Sequence, residues 1–220
     1  MDLVADLWPL FSLVIETDRL ELRLPREDEL AVLARAARVI ASPGEPRLHL
    51  EWMYEPSPGM ERKFVQRHWR ALAHWRPESW HLPLAVYVGG EPAGIQDMWA
   101  SDFAHVRSVG TGSWISRPQQ GRGYGTEARA AVLELAFGCL GAEEACTEYL
   151  DGNAASEKVS RKLGYRDNGQ HLVYRADTGR TTEYRLRLDR ATWAQTRSGG
   201  HCAIKGVEAC LPMFGADADS

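Results

Sequence analysis

The sharpest change of hydrophobic period in the chain falls between residues 109 and 137. Val109, Trp114 and Ile115 suit a strand. Pro118 ends it, and Gly121, Gly123 and Gly125 make a turn in which backbone can approach a ligand closely. From Thr126 the apolar positions take helical spacing, with Ala128, Val132, Leu135 and Cys139 on one stripe and Leu133, Phe137 and Leu140 beside it. The stretch predicts a strand, a glycine turn and a buried helix.

The rest of the chain sorts around it. Residues 17–24 alternate apolar and polar and predict the first strand, with Leu20, Leu22 and Leu24 on one face. Pro25 precedes a helix whose acidic residues come first and arginines later, matching the helix dipole. Residues 41–46 read as a loop. Residues 59–75 predict a second helix, with Phe64, His68 and Leu72 at one spacing. Strands over 82–88 and 93–98 meet at Gly89 and Gly90 as a hairpin, and 101–107 leads into the strand from Val109. Residues 145–150 form another strand. One long helix separates it from the strand at 109–115, so the two should run parallel through a right-handed crossover. Asp151, Gly152 and Asn153 turn the chain into a helix over 154–163, with Gly164 as its stop. Residues 171–175 and 183–188 make a last hairpin, and residues 191–195 a short helix. The pattern implies an α/β fold with a mixed, largely antiparallel sheet of about seven strands and helices on both faces. We divide the chain into an N-terminal extension over 1–16, one domain over 17–196 and a tail over 197–220.

The chain of 220 residues is 44% hydrophobic and 25% charged, enough for one well-filled core. Its net charge of −4 indicates no broad cationic surface and argues against nucleic acid as partner. Positive charge is local, at Arg117, Arg122 and Arg129. The four cysteines (Cys139, Cys146, Cys202, Cys210) show neither CxxC nor metal spacing and read as reduced, packed thiols of a cytoplasmic protein. The histidines show no metal spacing either. The N-terminal apolar run is short, with acidic flanks and no basic region before it, and reads as neither a signal nor a membrane anchor.

A helix start can hold an anion, and the glycine spacing narrows which one. The turn lacks the Lys and Ser or Thr of a P-loop. It carries Thr126 where a dinucleotide fingerprint needs glycine. What fits is Gln120-x-x-Gly123-x-Gly125. With the string GRGYGTEA, and with Asn153, Ser156, Val159 and the run Lys162-Leu-Gly-Tyr165 downstream, the chain resembles the GCN5-related N-acetyltransferases. Within them it is similar to the ribosomal-protein N-terminal acetyltransferase branch, over about residues 17–193.

The resemblance implies that the central parallel strands part and that the pantetheine arm of coenzyme A enters between them. It pairs there with backbone near Trp114, Ile115 and Ser116. The loop of Gln120, Gly121, Arg122, Gly123, Tyr124, Gly125 and Thr126 would hold the pyrophosphate of acetyl-coenzyme A or another acyl-coenzyme A. Asn153 would bond the arm or cap its helix, and Ser156 would approach the sulfur or serve as a first-turn serine. The tyrosine acid of many relatives is replaced by Ser160. For the amine proton Glu148 is the first candidate, Asp97 and Glu51 are alternatives, and water could serve an α-amine of pKa about 8. Trp52 and Tyr54 are either core aromatics or, with Asp97, part of the acceptor pocket.

The activity implied is direct transfer of an acyl group, acetyl in the first instance, from acyl-coenzyme A to a peptide N-terminus or a small primary amine, without metal. A succinyl or other acyl donor is an alternative. An arginine in the acyl pocket would select an acid over acetyl, and the sequence does not place one. A coenzyme A-binding module without turnover is a further alternative, which intact Asn153 and Ser156 disfavour. An acetylase of charged tRNA is disfavoured by the acidic net charge. A homodimer is expected. The apolar run over 207–214 would either supply its contact surface or cover its own domain.

Overall fold

The computed structural model describes residues 3–40, 55–175, 179–197 and 199–216. Trp52, Tyr54 and Glu51 lie outside the described residues. Among the described residues nine strands form one sheet: β1 (Val14–Thr17), β2 (Leu20–Arg23), β3 (Ser79–Val88), β4 (Glu91–Ser101), β5 (Ser108–Ile115), β6 (Glu144–Leu150), β7 (Arg166–Arg175), β8 (Gly179–Asp189) and β9 (Cys202–Lys205). The order is β7-β8-β6-β5-β4-β3-β2-β1-β9. Every neighbouring pair is antiparallel except β5 and β6.

The α-helices are α1 (Leu3–Leu7), α2 (Glu27–Ala37), α3 (Gly59–Ala73), α4 (Phe103–Val106), α5 (Tyr124–Glu134), α6 (Ala154–Lys162) and α7 (Arg190–Thr196). None among the described residues is long and apolar enough to cross a membrane. Burial follows the alternation of the strands. Leu22, Leu82, Leu84, Val86 and Met98 point to one face, where α5 supplies Ala128, Ala131 and Val132. Ala85, Tyr87, Ile95 and Trp114 point to the other, where α2 and α3 supply Leu30, Leu33 and Phe64. Helices thus cover both faces, as the pattern predicts.

The sheet is two strands wider than the seven expected, with β1 added before the first and β9 supplied by the C-terminal stretch. β9 pairs with β1, and Lys205 closes an ion pair on Glu16 at 2.7 Å. The single strand expected over 17–24 is also part of a hairpin: Asp18 and Arg19 turn the chain, and β1 lies before them. The apolar run near the C-terminus covers its own domain. Trp75 Nε1 donates to the Met213 carbonyl at 2.8 Å and Trp80 Nε1 to that of Phe214 at 3.1 Å. The two indoles stack with centroids 5.8 Å apart, and Phe214 stands edge-on to both. Trp75 and Trp80 are therefore core residues, each with its indole N–H satisfied.

β5 and β6 pair only through Ser108, Val109 and Gly110 with Glu144, Ala145 and Cys146. Both strands continue well beyond that point without pairing to each other. β5 stays bonded to β4 as far as Ile115, and β6 to β8 as far as Leu150. The result is a V-shaped gap with two firmly paired walls.

Candidate functional site

The gap opens at Thr111 and Thr147, and side chains replace the missing ladder there. Thr147 Oγ1 donates to the Thr111 carbonyl at 2.9 Å, and Thr111 Oγ1 to the Cys146 carbonyl at 3.3 Å. The Tyr165 hydroxyl meets Thr111 Oγ1 at 3.0 Å. Burial pushes this phenol up to about 12, so it stays protonated.

Beyond the threonines, antiparallel alternation decides which backbone groups face the gap. Ser116 N–H donates to the Ala93 carbonyl at 2.7 Å. With Trp114 opposite Ile95 and Gly112 opposite Asp97, residues 112, 114 and 116 turn their polar groups toward β4. Thr111, Ser113 and Ile115 turn theirs toward β6. Of Trp114, Ile115 and Ser116, Ile115 is thus the residue whose backbone groups face the gap; all three side chains are buried, and the Trp114 ring packs edge-on against Phe64 at 6.1 Å.

At the mouth of the gap stands the glycine loop. Gly121 and Gly123 have φ of 76° and 86°, a region costly for any residue with a Cβ. Gly123 directly precedes α5. Thr126 N–H already donates to the Gly123 carbonyl at 3.1 Å, which leaves the N–H groups of 121–125 for an anion. Gln120 is a clasp: its Nε2 donates to the carbonyls of Ile115 (2.8 Å) and Ile40 (2.9 Å). A second clasp comes from the β1–β2 turn, which sequence reasoning missed. Arg19 Nε donates to Glu127 at 2.7 Å, Nη1 to the Arg122 carbonyl at 3.0 Å, and Thr17 Oγ1 to Glu127 at 2.6 Å. The Arg19 guanidinium also lies 4.9 Å from the Tyr124 ring centre. Arg122 itself is exposed.

The far wall is α6. Asn153 caps it, with Oδ1 accepting from Ser156 N–H at 3.1 Å. The amide Nδ2 is left free to donate to a ligand, so capping and such donation use different atoms of one side chain. Ser156 is half-buried, and its hydroxyl makes no hydrogen bond among the described residues. Ser160, at the position of the absent tyrosine, is fully buried; its hydroxyl donates to the Ser156 carbonyl and accepts from Arg129 Nη1, both at 2.9 Å.

Glu148 and Asp97 share the other face of the sheet, the one bearing α2 and α3. Glu148 is half-exposed and paired across the strands with Arg185 at 3.3 Å. Asp97 is buried. Burial pushes its carboxyl up, but Arg67 at 3.3 Å and His81 Nε2 at 2.6 Å outweigh that and hold it below the usual range. Nearby His68 is pushed down to about 4 by burial and stays neutral at neutral pH.

His81 and Trp99 were not singled out from the sequence. They sit opposite each other on β3 and β4, with ring centres 6.2 Å apart. The Trp99 indole lies over Gly110 and Gly112 of β5, where a Cβ at Gly110 would come within 2.2 Å of it. The hairpin register was the available signal, because it sets Asp97 diagonal to His81.

A parted parallel strand pair, a glycine loop with unpaired N–H groups at its mouth and a capped helix as its wall together fit a coenzyme A-dependent acyltransferase. The family model for the Acetyltransferase (GNAT) domain matches residues 19–166, and the chain belongs to that family. Solved structures agree on the fold. Mycobacterium smegmatis RimJ, in complex with CoA-disulfide, is 19% identical with a TM-score of 0.61, the match covering 84% of this chain and 96% of that one. The ribosomal-protein-S5-alanine acetyltransferase of Vibrio fischeri is 15% identical at 0.58, covering 82% and 98%. A GNAT-family acetyltransferase from Bacillus anthracis is 14% identical at 0.65, covering 81% and 99%.

The loop geometry sets a ranking. Gly123→Val places a β-branched side chain at positive φ among the free N–H groups, whereas Arg122→Ala removes one exposed charge. Calorimetry with coenzyme A should show binding reduced at least about thirtyfold by the first and only a few-fold by the second. Unchanged affinity in Gly123→Val would mean that the anion binds elsewhere.

Proposed function

We propose that the chain transfers a short acyl group from acyl-coenzyme A directly to a primary amine within a ternary complex. The acceptor class we favour is a peptide N-terminus, with a small-molecule amine as the alternative. The observation that carries the reading is the gap itself. It presents Ser113 and Ile115 backbone between an anion-binding loop and a helix whose first turn holds an uncommitted serine. The name of the V. fischeri relative, an S5-alanine acetyltransferase, supports the peptide acceptor. Acetyl is the acyl group that the family name implies.

In this reading the N–H groups of residues 121–125 hold the pyrophosphate, and Asn153 Nδ2 donates to the pantetheine arm. The Ile115 N–H, turned into the gap, polarises the thioester carbonyl as negative charge develops on its oxygen. Ser156 donates its hydroxyl proton toward the departing sulfur. A thiolate is only weakly basic, so this help is modest. Glu148, directly or through one water, receives the amine proton from the face it shares with Asp97. Asp97 stays ionised at neutral pH and serves the acceptor pocket as a fixed negative charge toward an incoming ammonium, with His81 and Arg67 holding it in place.

Ser156→Ala should lower turnover about tenfold to a hundredfold. Glu148→Gln should lower turnover and remove the acidic limb of the pH–rate profile, with coenzyme A affinity nearly unchanged. Steady-state rates of thiol release over a pH series check both. A Glu148→Gln enzyme that keeps its rate and profile moves the proton acceptor to the His81–Asp97 pair, the competing arrangement on the same face.

We also propose that the chain forms a homodimer. β7 is an edge of the sheet, and Leu172 and Tyr174 on it are 57% and 78% exposed, a surface that a second copy would cover. Light scattering should give the dimer mass; a monomer mass across a concentration series would contradict it.

A further inference from the structure

Arg129 is 2% exposed, deep on the inner side of α5, and no carboxylate pairs with it among the described residues. Its partners are neutral hydroxyls. Nη1 donates to Ser160 Oγ at 2.9 Å and approaches Thr147 Oγ1 at 3.5 Å, and Nη2 donates to Ser113 Oγ at 3.1 Å. Nε has no partner among the described residues. Burial lowers its pKa, with Tyr165 opposing, yet a guanidinium remains charged at neutral pH. A buried cation without a counter-anion costs several kcal/mol, and three hydroxyls offset only part of that.

The place of this charge in the fold is specific. Ser113 and Thr147 belong to the two strands just past their last paired residues, Gly110 and Cys146, and Ser160 lies on the wall helix. The guanidinium therefore sits at the inner end of the gap. The surroundings there are polar as well: Thr111, Ser113, Thr147, Ser160 and the Tyr165 hydroxyl gather within one hydrogen-bonded cluster. A pocket for an acetyl methyl needs apolar walls, and this one offers donors. Along β5, Ile115 and Ser113 are two residues apart, about 7 Å. A thioester near Ile115 would thus lie about the length of a short acyl chain from Ser113, whose hydroxyl the cation holds.

We propose that the acyl donor carries its own carboxylate, a dicarboxylic acyl thioester of the succinyl type, and that Arg129 is the counter-ion that selects it. The inference rests on the acyl-coenzyme A reading of the gap. In the transfer, the amine lone pair forms the C–N bond and the C–S pair leaves on sulfur. Glu148 takes the amine proton, the sulfur takes one through Ser156, which solvent re-protonates as Glu148 returns its proton to solvent, and the terminal carboxylate passes unchanged into an N-(carboxyacyl) product. Arg129 takes no part in bond making. It fixes which donor is bound.

Calorimetric binding of four compounds to the whole chain separates this inference from the reading beneath it: coenzyme A, acetyl-, butyryl- and succinyl-coenzyme A. Butyryl matches succinyl in chain length without the charge. The chain should bind coenzyme A, and should bind succinyl-coenzyme A at least about tenfold more tightly than the butyryl thioester. Arg129→Met should abolish that preference and leave coenzyme A affinity within about twofold, while Arg129→Lys keeps part of it. Coenzyme A binding with no preference of succinyl over butyryl in the unsubstituted chain overturns the inference and leaves the parent reading standing. So does a preference that survives in Arg129→Met. Failure of the unsubstituted chain to bind coenzyme A overturns both. The comparison in the unsubstituted chain decides the matter even if Arg129→Met does not fold.

Discussion

The structure depends on how two parallel strands are allowed to part. A strand that leaves its neighbour strands its backbone N–H and C=O groups, and buried groups of this kind must find partners. Here Thr147 and Thr111 take over with their hydroxyls at the first step of separation, bonding the Thr111 and Cys146 carbonyls. The sheet thereby ends its pairing at a fixed residue. The strands are kept apart beyond it by what each pairs with on its far side, β4 for one and β8 for the other. The Ser113 and Ile115 edge of β5 is left as an open ladder waiting for an extended partner, the situation that β-augmentation exploits.

Everything else at the site is arranged relative to that opening. The glycine loop follows directly from the end of β5, so the anion-binding end of α5 stands at its mouth. Gln120 ties the loop back to the Ile115 carbonyl, and Arg19 ties it to the β1–β2 turn. On the other side Asn153 fixes the start of α6 and so places Ser156. Beneath the gap a buried guanidinium lies among hydroxyls, and on the α2–α3 face of β4 a buried carboxylate is kept ionised by Arg67 and His81.

The parts of this legible in the sequence are those specified locally. The glycine turn, the Asn153 cap and the Gly164 stop, which takes φ of 94°, each follow from conformational preferences within a few residues. The parallel crossover follows from the length of the helix between two strands. What was not legible depends on distant segments. β9 reaches β1 from the opposite end of the chain, and Arg19 reaches Glu127 across 108 residues. The alternation over 17–24 hid a turn at Asp18 and Arg19 because no glycine or proline marks it. Arg129 read as one of three local positive charges near an anion site. Only the packing of α5 against both parted strands turns it inward, away from the phosphate loop. His81 carried no signal beyond the absence of metal spacing, because its diagonal relation to Asp97 exists only once the β3–β4 register is set.

The central claim is that the open edge of β5 is the seat of the coenzyme's arm. Amide hydrogen exchange resolved by NMR, with and without coenzyme A, tests it most directly. The Ser113 and Ile115 amides face the gap, whereas those of Trp114 and Ser116 are turned to β4. Adding coenzyme A should therefore slow exchange at 113 and 115 at least about tenfold and change 114 and 116 little. Protection confined to the loop, with 113 and 115 exchanging as before, would contradict the account.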